Sequence, residues 1–415
     1  MAKRSIFLIA FAVVVLLTLG FGMLASASYY TADNGMGDYA MVMRQLVWLA
    51  AAVVAGLFCC VMDYHVLLRW RWHLLAIATV TLALCYYEPH IGIKINGAKR
   101  WIGLQALGLK SVRVQPSEFA KVALIIALAG WYGLRERIGR AFIQGFLLPL
   151  LMLGVIVVLI GGEMDLGSAL IAACVGLSIM IVAGAKMRYI SLASALVLAC
   201  LWLMVVITPN RMTRVTAFLS EIPVLAKTKY GDTSQLTKEQ QEGIRDKKRQ
   251  QELARMAFGS GGTEGVGIGQ GRMKMYSLPE AHTDFILPMV GEELGLCGTL
   301  AVVFAFVMII LGGMCISSYA PDTFGKLLGF GITLLFGLEG LMNMGVTTSV
   351  LPNKGLPLPF VSYGGSSLVM AMISVGILCN IYRQGVYRSP DNLPVIRKKN
   401  RWTPRLSDNG AAQFE

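Results

Sequence analysis

Leu278-Pro279-Glu280-Ala281-His282-Thr283-Asp284-Phe285-Ile286 closes the only long polar interval of this chain and opens an apolar run reaching to about residue 316. Outward from it in both directions, apolar runs of similar length recur. About 20 apolar residues cross a bilayer core as a helix, and in hydrocarbon only helices and closed barrels satisfy their own backbone. Ten runs are counted, at roughly 5–27, 43–62, 72–87, 118–134, 143–162, 166–185, 189–208, 285–316, 325–347 and 367–387. The alternating ten-residue segments of a membrane barrel are absent. The expected fold is therefore an all-α polytopic membrane protein of about ten transmembrane helices, with a large extracytoplasmic loop between helices 7 and 8. Residues 1–388 form one ten-helix membrane domain, with 209–284 as the loop within it, and 389–415 a basic cytoplasmic tail. The third run is the weakest. The eighth is long enough to tilt, or to begin as a buried stretch outside lipid.

Composition agrees. The chain has 415 residues, 55% hydrophobic and 15% charged, with a mean hydropathy of +0.62. The net charge of +13 reads as basic loops that fix orientation and meet lipid headgroups, not as nucleic-acid binding. All eight cysteines lie in apolar stretches without a CxxC spacing, and the four histidines are scattered. Neither set forms a metal site, and the cysteines read as small buried hydrophobes. There is no P-loop or dinucleotide fingerprint, which argues against ATP-driven transport by this chain alone. The first run, after Lys3-Arg4, is long for a cleaved leader and reads as an uncleaved signal anchor.

Basic residues in short loops set the orientation. With the N-terminus in the cytoplasm, the inner loops hold Arg69 and Arg71; Arg135, Arg137 and Arg140; Lys186 and Arg188; and the tail from Arg383 to Arg405. The 209–283 interval carries both signs and falls outside; long loops translocate regardless of charge. Within it, residues 236–256 are helix formers, expected as a surface helix that lies on headgroups or is simply solvated.

The residues with chemical potential gather on the outer side. Asp284 stands at the membrane lip, where a carboxylate is costly to desolvate. The glycine-dense run Gly259–Gly271 reads as a flexible backbone strip beside it. Glu118 and Lys121 share a face at the start of a span, after Pro116 at a first helical turn, and are expected to pair. The pair is either a clamp between helices or part of a cavity in which Lys121 takes an anionic headgroup. Lys99, Arg100 and Trp101 form an interfacial anchor or a phosphate clamp. Lys354 is a solvated loop lysine or a further cation of that clamp. Asp165 is placed to cap the next helix. His282 is a candidate partner of Asp284. Glu292 and Glu293, inside the eighth run, should face the protein interior and find partners. Ser362, Gly364, Gly365 and Ser366 form a turn and helix cap, or an anion site at a helix N-terminus. Together these suit a substrate with a lipid tail, a phosphate-bearing head and a hydroxyl to activate.

NGAKRWIGL, VQPSEFAKVALI, DLGSALI, AFGSGGTEGVGIGQG, LPEAHTDFI, GEELGLCG and LPNKGLPLPFVSYGGSS run in that order from Asn96 to Ser367. They resemble the SEDS family of FtsW, RodA and SpoVE. The resemblance implies a cofactor-free peptidoglycan glycosyltransferase of the cytoplasmic membrane that polymerises lipid II at its outer face. Its implied partners are a class B penicillin-binding protein and other divisome membrane proteins. No Ser-x-x-Lys transpeptidase constellation is evident, so cross-linking falls to that partner. LPEAHTDFI and Lys354 resemble the division branch, acting at the septum, more than the elongation branch. By resemblance Asp284 is catalytic, Glu118 and Lys121 are the family's Glu–Lys pair, and Arg100 and Ser362 through Ser367 fall on its other motifs. Three features depart from the pattern: Met164 stands where a proline is usual before Asp165, Gln251–Met256 replaces a common Gln-Ser segment, and the charged stretch 221–250 is longer. A RodA-like elongation polymerase, a lipid II flippase and a division scaffold remain the alternative readings.

Overall fold

Apolar runs deprived of water close their hydrogen bonds internally, and in a computed structural model of the chain all ten are helical. The structure describes residues 2–31, 40–87, 92–95, 98–103, 113–134, 139, 141–208, 212, 215–216, 220, 238–272, 283–352 and 355–387. The helices are α1 (Ala2–Thr31), α2 (Ala40–Val61), α3 (His65–Tyr87), α4 (Pro116–Gly133), α5 (Leu148–Gly162, after a π-helical turn Ile143–Leu147), α6 (Leu166–Val182), α7 (Met187–Ile207), α8 (Lys238–Gly261), α9 (Ile286–Glu293), α10 (Gly295–Tyr319), α11 (Thr323–Thr347) and α12 (Gly365–Tyr387). Eight of these (α1, α2, α3, α5 with its turn, α7, α10, α11 and α12) are long and apolar enough to cross a membrane, and α6 is a shorter apolar helix. The remaining run is α4, 18 residues long, which is outside that set of eight. The chain is a multi-pass membrane protein.

The centre of the bundle is α4. Nearly every side chain from Pro116 to Gly130 is buried, and the helix packs on α3, α6 and α11. That seat explains how the most charged span start is tolerated: its charges face protein, not lipid. α2 pairs with α12, α1 with α10, and α10 with α11. In the α2–α12 pair the backbones touch, since a Cβ on Gly376 would stand 2.2 Å from the Gly56 carbonyl oxygen; small residues at a crossing permit this.

Several boundaries differ from expectation. α3 begins at His65, so Arg69 and Arg71 lie in its first turns and not in a loop. The eighth run takes the second of its two expected forms and begins as a buried stretch: it is two helices, α9 and α10, broken at Leu294–Gly295, with α9 buried along its whole length. Gly295 sits at φ +66, and a Cβ there would stand 2.4 Å from the Gly265 nitrogen. The break exists so that another backbone can enter. The loop after α3 contains a three-stranded antiparallel sheet that the sequence pattern does not announce: β1 (Gly92–Ile95), β2 (Ala98–Gly103) and β3 (Arg113–Val114), in the order β1-β2-β3. α8 is docked, not afloat: Ile244, Gln251, Ala254 and Ala257 are buried, and it packs against α9.

Because the spans alternate in direction, the sheet, α8, α9 and the 355–364 segment share one end of the bundle. The opposite end is closed by a polar cluster. His65 lies 2.7 Å from Asp63 and 3.1 Å from Asp322 through its two ring nitrogens. Tyr64 donates to Asp322, and Gln384 donates to Asp63 at 2.7 Å.

Candidate active site

Asp284 is half-buried, two residues before α9, and its backbone is fixed from two sides. Asn343 on α11 donates from Nδ2 to the Asp284 carbonyl at 3.0 Å and to the Leu356 carbonyl at 2.7 Å. Ser362 donates from Oγ to the Thr283 carbonyl at 2.6 Å and accepts from the Leu358 N–H at 2.8 Å. Asn343 and Ser362 thus rivet the Thr283-Asp284 pair to the 355–362 segment. The carboxylate rests on that segment: a Cβ on Gly355 would stand 2.4 Å from Asp284 Oδ2.

Beside this segment lies a cleft of about 460 Å³, counting its open mouth. Its walls include Glu118, Lys121, Phe336, Glu339, Leu356 and Ser367. The expected Glu118–Lys121 pair forms, with Nζ donating to Glu118 Oε1 at 2.9 Å. A second carboxylate, Glu339 on α11, accepts from the same Nζ. Lys121 is 2% exposed and is already met by two anions, so the structure favours the helix clamp over an anion receptor. Glu339 was not anticipated. Its signal was present, a single acid deep in the ninth run, where an ionisable side chain needs a partner. Leu356 lines the cleft and follows Gly355, so the cleft and Asp284 meet at one short stretch of backbone.

A second cluster sits where β2 and β3 meet the α5–α6 turn. Arg100 donates to the Met164 carbonyl. Asp165 caps α6 as expected, accepting from the Ser168 N–H at 3.1 Å and from Ser168 Oγ at 2.9 Å. Gln115 donates to Asp165 at 3.3 Å, and its N–H donates to Ser366 Oγ at 3.3 Å. Gly365 packs so closely on Trp48 that a Cβ would enter the indole ring, at 2.2 Å. Met164 stands at φ +64, which proline cannot adopt; the turn here differs from one built on the family's usual proline.

Glu163, in the same turn, is 1% exposed. No N–H or O–H reaches its oxygens among the described residues, and the Cys85 thiol is its polar contact. Burial, then the Asp165 carboxylate, push its carboxyl up from 4.5 to about 9, against the pull of Cys85 and Arg100. A carboxyl raised in the folded state stabilises fully below its unfolded pKa, and that contribution is lost as pH climbs toward the folded value. Glu163 therefore costs stability between about pH 4.5 and 9. Glu163→Gln removes the proton linkage, so at pH 7 to 8 the variant should be more stable by at most about 3–5 kcal/mol and melt higher. Melting curves across that range test this; a wild type with a flat pH profile contradicts it.

The glycine-dense run is neither a free strip nor, among the described residues, laid on Asp284. Gly259–Gly261 complete α8, and the rest wraps the α9–α10 break. Val266 and Gly267 donate their N–H groups to the carbonyls of Glu292 and Glu293 at 2.9 and 3.0 Å, and Leu296 donates to the Gly262 carbonyl at 2.9 Å. Glu292 and Glu293 are buried with partners, as expected: Arg272 N–H donates to Glu292 at 2.6 Å, Gly269 N–H to Glu293 at 2.9 Å, and Ser26 Oγ to Glu293 at 2.7 and 2.8 Å.

The family described as cell cycle protein, of the FtsW, RodA and SpoVE type, matches residues 7–386. The chain belongs to this family. It is 36% identical over 370 residues to a probable peptidoglycan glycosyltransferase FtsW of Trichlorobacter lovleyi, covering 89% of this chain and 91% of the relative. It is 30% identical over 378 residues to stage V sporulation protein E of Bacillus subtilis, covering 90% and 95%. Among solved structures it is similar to a chain of a peptidoglycan synthase complex that coordinates polymerization and crosslinking, with a TM-score of 0.69 at 22% identity over 92% of this chain and 98% of that one. It is also similar to the rod shape determining protein RodA of Thermus thermophilus, with a TM-score of 0.63 at 23% identity over 91% and 96%.

The described parts of these motifs thus converge at one end of the bundle: Thr283-Asp284 on the 355–362 segment, Gln115 on Asp165 and on Ser366, and Arg100 on the α5–α6 turn. Lys354 and His282 lie outside the described residues. Lys99 pairs across the sheet with Lys94. Among the described residues no group of three or more His, Cys, Asp or Glu is placed to hold a metal.

Proposed function

We propose that this chain is a peptidoglycan glycosyltransferase. It polymerises lipid II into β-1,4 glycan strands at the outer face of the cytoplasmic membrane during cell division, with both termini in the cytoplasm. The observation that carries the reading is the carboxylate of Asp284, backed by Gly355, whose neighbour Leu356 lines a mostly apolar cleft, in a chain of this family. Asp284 takes the proton of the acceptor's N-acetylglucosamine 4-hydroxyl. That oxygen attacks the anomeric carbon of the donor's N-acetylmuramic acid with inversion, and undecaprenyl pyrophosphate leaves. Arg100, Lys99 and Lys354 meet the charge on the leaving group. Lys354 precedes Gly355, which touches Asp284, while Arg100 keeps N–H groups beyond the one spent on Met164. The Glu118–Lys121–Glu339 cluster is the cleft's structural floor. A class B penicillin-binding protein is the partner that cross-links the product.

The test is polymerisation of purified lipid II by the reconstituted chain, with and without that partner, beside Asp284→Asn. Glycan strands from wild type alone support the reading. No strands from a folded preparation that binds lipid II sink it.

A flippase is the second reading, favoured by charges inside two spans. Against it, Glu339 lies eight residues from the site end of α11, about 12 Å along a helix, and the other charge on α11, Lys326, is exposed in the first turn at the opposite end, with no Asp, Glu, Lys or Arg between them. Translocation of fluorescent lipid II in vesicles separates the two.

Gly355→Ala tests the geometry. Its methyl must displace the carboxylate or the segment behind it, and misplacing a reacting group by about 1 Å costs on the order of 10²-fold. The expected loss is in kcat, with KM and melting temperature little changed. A variant with wild-type kcat contradicts the placement.

A further inference from the structure

Glu292 and Glu293 occupy an expensive position. Both are 1% exposed, they are adjacent, and they end α9, where the helix dipole opposes negative charge. An anchor needing only an acceptor would cost less as glutamine. Their contacts show what the charges hold. Glu292 takes the Arg272 N–H, and Glu293 takes the Gly269 N–H together with the Ser26 hydroxyl of α1. Gly271 lies between, where a Cβ would stand 2.9 Å from Glu293 Oε1 and 3.0 Å from Glu292 Oε2. The backbone is gripped at Gly269 and Arg272. Past residues 273–282 it is gripped again, at Thr283 by Ser362 and at Asp284 by Asn343. Between the two grips runs α9, eight buried residues rising about 12 Å. Hydrogen bonds to a charged acceptor are roughly twice as strong as neutral ones, and a reacting group must be held to within about 0.5 Å.

We propose that Glu292 and Glu293 are positioning residues for Asp284. Their charges lock the C-terminal end of α9 to the Gly269–Arg272 backbone and to α1. The helix is then a fixed strut, and the carboxylate at its other end keeps its place against Gly355. The proposal rests on the reading of Asp284 as the base. Neither glutamate lines the cleft, so the pair governs turnover and not substrate affinity.

The experiment uses the full chain in nanodiscs. It compares wild type, Glu292→Gln, Glu293→Gln, the double Gln variant, Ser26→Ala and Asp284→Asn. Steady-state lipid II polymerisation is measured beside amide hydrogen exchange. Each single Gln variant should lower kcat about 10-fold and the double about 100-fold, with KM within 2-fold. Exchange should speed up at 265–272 and 283–290 and nowhere else, with the melting temperature kept. Ser26→Ala, which leaves both carboxylates, should cost about 2- to 5-fold in kcat; it decides the matter if the double variant fails to fold. Wild-type kcat despite faster exchange overturns the proposal, as does a lower kcat without any exchange change at these two segments. An inactive Asp284→Asn beside a fully active double variant overturns the positioning role alone. Asp284→Asn at the wild-type rate overturns the base assignment, and the positioning role with it.

Discussion

Asp284→Asn should lower lipid II polymerisation by orders of magnitude while the protein keeps its fold, its melting temperature and its binding of lipid II. The amide is the same size as the carboxylate, and two contacts that hold this stretch run through the Asp284 backbone, to Asn343, and through its neighbour Thr283, to Ser362. The substitution therefore removes a proton acceptor and leaves the rivets. A positioned base contributes about 10²–10⁴-fold, and the loss should fall in that range with the partner protein present or absent. Two further results sharpen it. Asp284→Glu retains the base but lengthens the side chain against Gly355, so it should recover only part of the rate. Recruitment of the transpeptidase partner should be unchanged in Asp284→Asn, because a scaffold does not need the carboxylate. Strand synthesis at the wild-type rate by the Asn variant would remove the base assignment.

Much of this site was open to reading from the sequence, because membranes punish misplaced polarity. A carboxylate at a lipid boundary, a Glu–Lys pair three residues apart at a helix start, and two acids inside an apolar run all announce themselves by cost. What stayed hidden is pairing across distance. Lys121 and Glu339 are 218 positions apart, and nothing local says that the lone acid of the ninth run meets the cation of the fourth. The glycine run shows the same limit. Its density signals a close backbone approach, yet the group approached is the Glu292–Glu293 corner, and only the three-dimensional packing reveals that. The break of the eighth run is flanked by Glu292 and Glu293, but nothing local says that the helix stops there; that follows from the positive φ at Gly295. The small sheet is hidden for a different reason. Its strands of four, six and two residues are too short for a period-2 pattern to emerge, and register alone joins β2 to β3.

Lys121→Met should be the most destabilising substitution in the bundle interior. In the wild type one ammonium, 2% exposed, stands between two carboxylates and ties α4 to α11. Methionine fills the same volume, so the core keeps its packing. What remains is a pair of buried acids with no cation between them. Removing one partner of a buried ion pair costs about 3–5 kcal/mol, because the charge left behind must be desolvated alone or neutralised. The loss should therefore come from the orphaned acids and not from a missing attraction. That distinction is testable. Lys121→Met combined with Glu118→Gln and Glu339→Gln removes the orphaned charge, and replacing a whole buried ion network by neutral groups is often neutral or stabilising. The triple variant should recover more than half of the stability lost by Lys121→Met, measured as the shift of the melting transition in one lipid environment. If the triple variant is as unstable as the single one, the cluster's contribution lies in the lysine's own contacts, and the floor of the cleft must be described as a packed surface instead of a charge clamp.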